Sequence, residues 1–205
     1  MSMHPADHAL ILVDLQPDFL PGGALAVAEG DQVIPFANDA MQAFSCVVAT
    51  QDWHPANHGS FASQHPGKAP GELVELHGLT QVLWPDHCVQ GTPGAELCAE
   101  LDHARITRVF RKGSDPTVDS YSGFFDNGRR HATGLGEWLK GEGIKALSVL
   151  GLATDYCVKF TALDARELGF DVTLLAGGCR GVELKPGDIA NALYELRTAG
   201  VLIQS

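Results

Sequence analysis

The stretch "SVLGLATDYCVKFTALDAR", Ser148–Arg166, carries an apolar, β-type run into a pattern of helical spacing, with one cysteine, Cys157, near the junction. A buried strand followed by a helix is the repeating unit of a parallel sheet. The same unit recurs on either side. "HALILVDL" (His8–Leu15), "CVVATQ" (Cys46–Gln51), "ITRVFRK" (Ile106–Lys112) and "DVTLLA" (Asp171–Ala176) have the composition of buried strands, as does "ALSVLGLA" (Ala146–Ala153). "VLI" (Val201–Ile203) is a candidate sixth.

Helical spacing is carried by "DQVIPFANDAMQAF", "ATGLGEWLKGEG", "DYCVKFTALDARELG" and "DIANALYELRTAG", with Gly169 and Gly200 where C-caps are expected. This alternation predicts an α/β fold with a parallel sheet covered by helices on both faces, in one domain spanning residues 1–205. Between Asp52 and Gly94 the chain is rich in Pro, Gly and His and lacks periodicity. So long an irregular stretch is either functional or hides elements.

A formal net charge of −11 argues against a nucleic-acid partner, and no apolar run is long enough for a membrane span. Five cysteines, odd in number and without a C-x-x-C pair, suit reduced thiols and a cytoplasmic location. "GGCRG" (Gly177–Gly181) is neither a dinucleotide fingerprint nor a P-loop, and no G-x-S-x-G elbow is present.

In open parallel sheets the ligand crevice lies outside the carboxyl ends of the strands. Asp14 follows the first strand, Asp52 and His54 the second, Lys112 ends the third, and Thr154 to Cys157 follow the fourth. Cys157 in the first turn of a helix would have its thiolate favoured by the dipole, with unpaired N–H groups nearby for an oxyanion; the alternative is a small buried residue. Asp14 is either a turn cap or a general base for the thiol, and Lys112 either a solvated lysine or the cation that holds Asp14 ionised. Asp52, His54 and His87 form a familiar set for one divalent metal: zinc first, iron or manganese as alternatives. His58 and Ser60 are candidate extra ligands. Phe19, Trp53, Trp84 and Tyr121 lie in loops, where they pack beneath their own loop or wall a flat, ring-shaped pocket.

"VDLQPDF" (Val13–Phe19), "TQDWHPANHGSF" (Thr50–Phe61), "WPDHCVQGTPGAEL" (Trp84–Leu97), "FRKGSDPTVDSYSGF" (Phe110–Phe124) and "GLATDYCVKFTALDA" (Gly151–Ala165) together resemble the nicotinamidases, also called pyrazinamidases. These belong to the isochorismatase-like cysteine hydrolases. The resemblance implies a three-layer, open six-stranded parallel sheet and hydrolysis of nicotinamide to nicotinate and ammonia through a cysteine thioester, in NAD salvage. Pyrazinamide is implied as a further substrate. It implies a triad of Asp14, Lys112 and Cys157, and a metal on Asp52, His54 and His87 that orients the pyridine ring. Phe19, Trp84 and Tyr121 would flank that ring. A cis bond between Leu152 and Ala153 would help present the Ala153 and Cys157 amides as an oxyanion hole. Tyr156, beside Cys157, occupies a variable position open to affecting specificity. The rival readings are a related hydrolase of another small amide, or a catalytically silent metal- or ligand-binding protein on this fold. Monomer and homo-oligomer both stay open.

Overall fold

The computed structural model describes residues 3–204. Along the chain run β1 (His8–Val13), α1 (Val33–Met41), β2 (Cys46–Asp52), β3 (Leu73–Leu76), β4 (Leu79–Val82), β5 (Arg108–Lys112), α2 (Leu135–Gly141), β6 (Ala146–Leu152), α3 (Lys159–Glu167), β7 (Asp171–Arg180), α4 (Asp188–Thr198) and β8 (Leu202–Gln204). Six strands form one parallel sheet in the order β5-β2-β1-β6-β7-β8, and helices cover both faces. Every residue of β1 from Ala9 to Val13 is fully buried, because that strand has a neighbour on each side and a helical layer above and below.

The strand order reverses direction between β1 and β6. β1 leads outward through β2 to β5, and β6 leads outward through β7 to β8. Helices therefore diverge at this point and leave a crevice beyond the carboxyl ends of β1 and β6. Asp14 follows one of these strands and the Thr154–Cys157 turn follows the other.

Three local departures from the sequence reading have physical causes. The stretch from Asp52 to Gly94 contains a hairpin, β3–β4, closed at His77 and Gly78, whose φ values of 46° and 85° give the two-residue turn that suits twisted strands. The strand expected to end at Ala176 continues through the glycines to Arg180. A Cβ on Gly178 would lie 2.6 Å from the Phe36 ring, so the missing side chain makes room for α1 rather than marking a loop. Cys157 sits in a wide π-type turn, Thr154–Val158, and α3 begins only at Lys159. Neither Thr154 nor Asp155 caps a helix there. The Asp155 carboxylate instead accepts the N–H groups of Val182 (2.9 Å) and Glu183 (2.8 Å), tying the loop after β7 to this turn.

Candidate active site

Asp14 leaves β1 with φ +50°, which turns its side chain into the crevice floor, and it is fully buried. Its Oδ1 accepts a hydrogen bond from Thr50 Oγ1 at 2.6 Å, and its Oδ2 lies 2.9 Å from Lys112 Nζ. Lys112 ends β5 and is 2% exposed. Its ammonium also reaches Asp52 Oδ1 at 3.0 Å, the Ser120 carbonyl at 2.9 Å and Cys157 Sγ at 3.4 Å. Asp14, Lys112 and Cys157, drawn from three strand ends, thus meet in one buried cluster.

The electrostatics distribute the protons. Burial raises the Asp14 carboxyl above its ordinary range even against the nearby ammonium, which makes it a stronger base. Burial works against the Lys112 charge, but Asp14 and Asp52 hold its pKa well above the usual lysine range. Burial, with Asp14 and Asp52 close by, pushes the Cys157 thiol well above the usual cysteine range despite Lys112. At this thiol burial thus outweighs the helix-terminus effect expected from sequence.

Asp52, His54 and His87 converge beside this cluster. The Nε2 atoms of His54 and His87 lie 2.9 and 3.4 Å from Asp52 Oδ2. Each imidazole is fixed from behind, since His54 Nδ1 donates to the Gly113 carbonyl (2.8 Å) and His87 Nδ1 to that of Pro85 (2.7 Å). Both rings therefore aim Nε2 at one carboxylate oxygen, and with a cation in place of the Nε2 protons these three atoms would be its ligands. The donor set fits such an ion. Burial disfavours the Asp52 charge, yet His54 and Lys112 keep its carboxyl well below the usual range, ionised and ready to ligate.

Of the extra candidates, the Ser60 hydroxyl is engaged with His58 Nδ1 at 2.7 Å rather than with the donor set. His58 forms a second, overlapping group with His54 and Asp119. Its Nε2 is buried without a partner among the described residues, and burial and His54 lower its pKa to about 4.

The aromatics divide. Trp84 and Tyr121 form a corner, with Trp84 Nε1 donating to the Tyr121 hydroxyl at 3.2 Å. Tyr156 closes it, its ring centroid 4.9 Å from Trp84 and 5.3 Å from Tyr121. Phe19 lies on the other side, 5.6 Å from the His87 ring. Trp53 is not part of this wall; Arg111 stacks on it at 3.9 Å. The peptide between Leu152 and Ala153 is cis, and the Ala153 carbonyl then accepts the N–H groups of Tyr156 and Val158, both at 3.1 Å.

Sequence reading missed the supports. Gln16, fully buried, accepts the Asp52 N–H and donates to the carbonyls of Asp52 and Ala95, each at 2.8 Å. Gln81, on the unforeseen hairpin, donates to Asp119 Oδ2 and the Tyr121 hydroxyl. The one available signal for Gln16 is a polar residue three places past an otherwise unbroken apolar strand.

An open doubly wound sheet with a thiol, a carboxylate and a lysine at its switch point, beside a metal-type donor set, defines a class of small α/β proteins with one compact polar site. The Isochorismatase domain family model matches residues 8–203, and the chain belongs to that family. It is 55% identical over 199 residues to the nicotinamidase of Escherichia coli (strain K12), covering 95% of this chain and 93% of that protein. The solved nicotinamidase/pyrazinamidase of Acinetobacter baumanii superimposes with a TM-score of 0.95 at 44% identity, over 98% of this chain and 96% of that one. The pyrazinamidase of Pyrococcus horikoshii, solved in complex with zinc, gives a TM-score of 0.78 at 40% identity, over 97% and 99%.

Proposed function

We propose that this protein hydrolyses the carboxamide of nicotinamide to nicotinate and ammonia, accepts pyrazinamide as well, and serves NAD salvage in the cytoplasm, where its five free cysteines would stay reduced. The observation that carries the reading is the position of Lys112 Nζ, within 3.4 Å of Asp14, Asp52 and Cys157 at once. It joins a thiol–carboxylate pair and a metal-type donor set into one site, as an enzyme that holds a ring and cleaves its amide requires. The relatives named nicotinamidase or pyrazinamidase support the choice of substrate.

Asp14 takes the Cys157 proton as sulfur bonds to the carboxamide carbon, and the carbonyl electron pair moves to oxygen. The N–H groups of Ala153 and Cys157 receive that oxyanion. As the C=O bond reforms, the C–N bond breaks and Asp14 returns the proton to the departing ammonia. Asp14 next removes a proton from water, whose oxygen attacks the thioester. The C–S bond then breaks, Asp14 returns that proton to sulfur, and the released acid gives its own proton to the ammonia in solution to become nicotinate. Asp52, His54 and His87 would hold the divalent ion, zinc first with iron or manganese as alternatives, and when bound it supplies a Lewis acid for the pyridine nitrogen that orients the ring. Phe19, Trp84 and Tyr121 would flank that ring.

Ammonia release from nicotinamide, measured before chelation, after chelation and after metal restoration, tests the reading. Turnover should appear, vanish and return. No release by metal-loaded protein overturns it. Cys157→Ala should abolish release while retaining metal, and wild-type-like activity in that variant would remove Cys157 from its role.

A further inference from the structure

The Asp14 carboxylate is held by two partners, and the proposed chemistry uses only one of them. Lys112 approaches Oδ2 at 2.9 Å and Cys157 Sγ at 3.4 Å, so Oδ2 is the oxygen beside the ammonium that also touches the thiol. Oδ1 is occupied by Thr50, whose hydroxyl donates to it at 2.6 Å and accepts the backbone N–H of Asp14 itself at 3.2 Å. One hydroxyl therefore closes a ring across the side chain and main chain of a single residue, at a backbone φ of +50° that few non-glycine residues adopt.

Thr50 is itself closely packed. It lies within β2, fully buried, paired with Phe110 of β5. A Cβ on Gly123 would come within 2.6 Å of its methyl group, so that glycine packs directly on the methyl and fixes the rotamer. The Gly123 N–H is in turn held by Thr161 Oγ1 at 2.9 Å, from the helix that follows Cys157.

We propose that Thr50 is the positioning residue of the proton-transfer step: its hydroxyl clamps Oδ1 so that Oδ2 alone faces the Cys157 thiol. This rests on the reading of Asp14 as base and Cys157 as nucleophile. A carboxylate free to rotate would present either oxygen and would swing off the thiol, and productive geometry tolerates little such freedom.

Thr50→Val keeps the β-branched shape and removes only the hydroxyl; Thr50→Ser keeps the hydroxyl and removes the methyl. Two readouts are taken on metal-loaded, full-length protein with equal metal content. One is steady-state ammonia release from nicotinamide. The other is the rate of Cys157 alkylation by iodoacetamide, followed by peptide mass mapping, which depends on no assumed substrate. Thr50→Val is expected to lower kcat by about 10–100-fold, a part of the 10²–10⁴ that a positioned base supplies, with KM within about twofold. The alkylation rate should fall in parallel, and Thr50→Ser should restore both to within about threefold of wild type. If Thr50→Val retains both rates, or Thr50→Ser is as impaired as Thr50→Val, the proposal is overturned, the second result assigning the effect to packing of the methyl. Wild-type protein that alkylates readily yet releases no ammonia overturns the substrate reading only, and the alkylation series then decides Thr50 by itself.

Discussion

Lys112 is an ammonium with almost no access to water, and its persistence there identifies what the site is built around. A lone buried ammonium would lose its proton, but two carboxylate contacts at 2.9 and 3.0 Å keep it charged. Lys112→Met keeps the stem and removes the charge, leaving Asp14 and Asp52 facing each other without a counter-ion. Breaking a buried pair in this way costs about 3–5 kcal/mol, so urea unfolding of metal-free protein should show a loss of that size. A loss below about 1 kcal/mol would mean that the carboxylates are solvated after all. The same residue-scale view sets a pH dependence. Burial raises the Asp14 carboxyl, and below its pKa Asp14 is neutral and cannot accept the thiol proton. For metal-saturated enzyme, kcat/KM should therefore fall toward acid with a midpoint above the ordinary carboxylate value of about 4. The Cys157 and Lys112 pKa values are both displaced upward, so neither places an alkaline limb near neutrality. An acid limb at or below the ordinary value would contradict Asp14 as the base.

At the scale of elements, the strands do the positioning and single glycines make the fits. Gly113 follows β5 with φ +67°, a conformation that leaves its carbonyl on His54 Nδ1, and a Cβ there would run into the His54 ring. Gly113→Ala should displace that ring and weaken metal binding by about 10–100-fold, the usual effect of disturbing a ligand's support, as measured by competition with a chromophoric chelator. Unchanged affinity would show that the ring has room to move. What was legible in the sequence follows from the same division of labour. The buried parallel strands announce themselves by continuous β-branched runs, and residues just past their ends are found by counting. Asp14, Asp52, His54, Lys112 and Cys157 were all reachable in that way. Thr50 and Gln16 were not, because each acts on a residue of another strand and only the register between β1 and β2 brings them there. The β3–β4 hairpin escaped because its turn is closed by His77 and Gly78 rather than a stronger turn pair. Cys157, expected in the first turn of a helix, lies in a π-type turn two residues before α3, because local spacing does not distinguish the two.

At the scale of the whole molecule, the reversal of strand order between β1 and β6 brings residues from positions 14, 52, 112 and 157 into contact although they are remote in sequence. The metal-type donor set is not held together locally: Asp52 ends β2 and His54 lies just beyond it, whereas His87 arrives from beyond the hairpin, and the β2 end keeps its place through Gln16 after β1. An unfolded chain scatters these donors, so a divalent ion binds the native state and stabilises it by mass action. At a free metal concentration one hundred times Kd the gain is about 2.7 kcal/mol, which for a chain of this size corresponds to a rise in Tm of roughly 5–11 °C. The rise should continue logarithmically with free zinc, manganese or iron, and the ion giving the steepest onset at the lowest concentration is the one the site prefers. His54→Ala and His87→Ala should flatten the dependence while leaving the metal-free Tm within a few degrees of wild type. A metal-dependent rise that survives both substitutions would place the ion elsewhere in the molecule, with the second group of His54, His58 and Asp119 already excluded by the first of them.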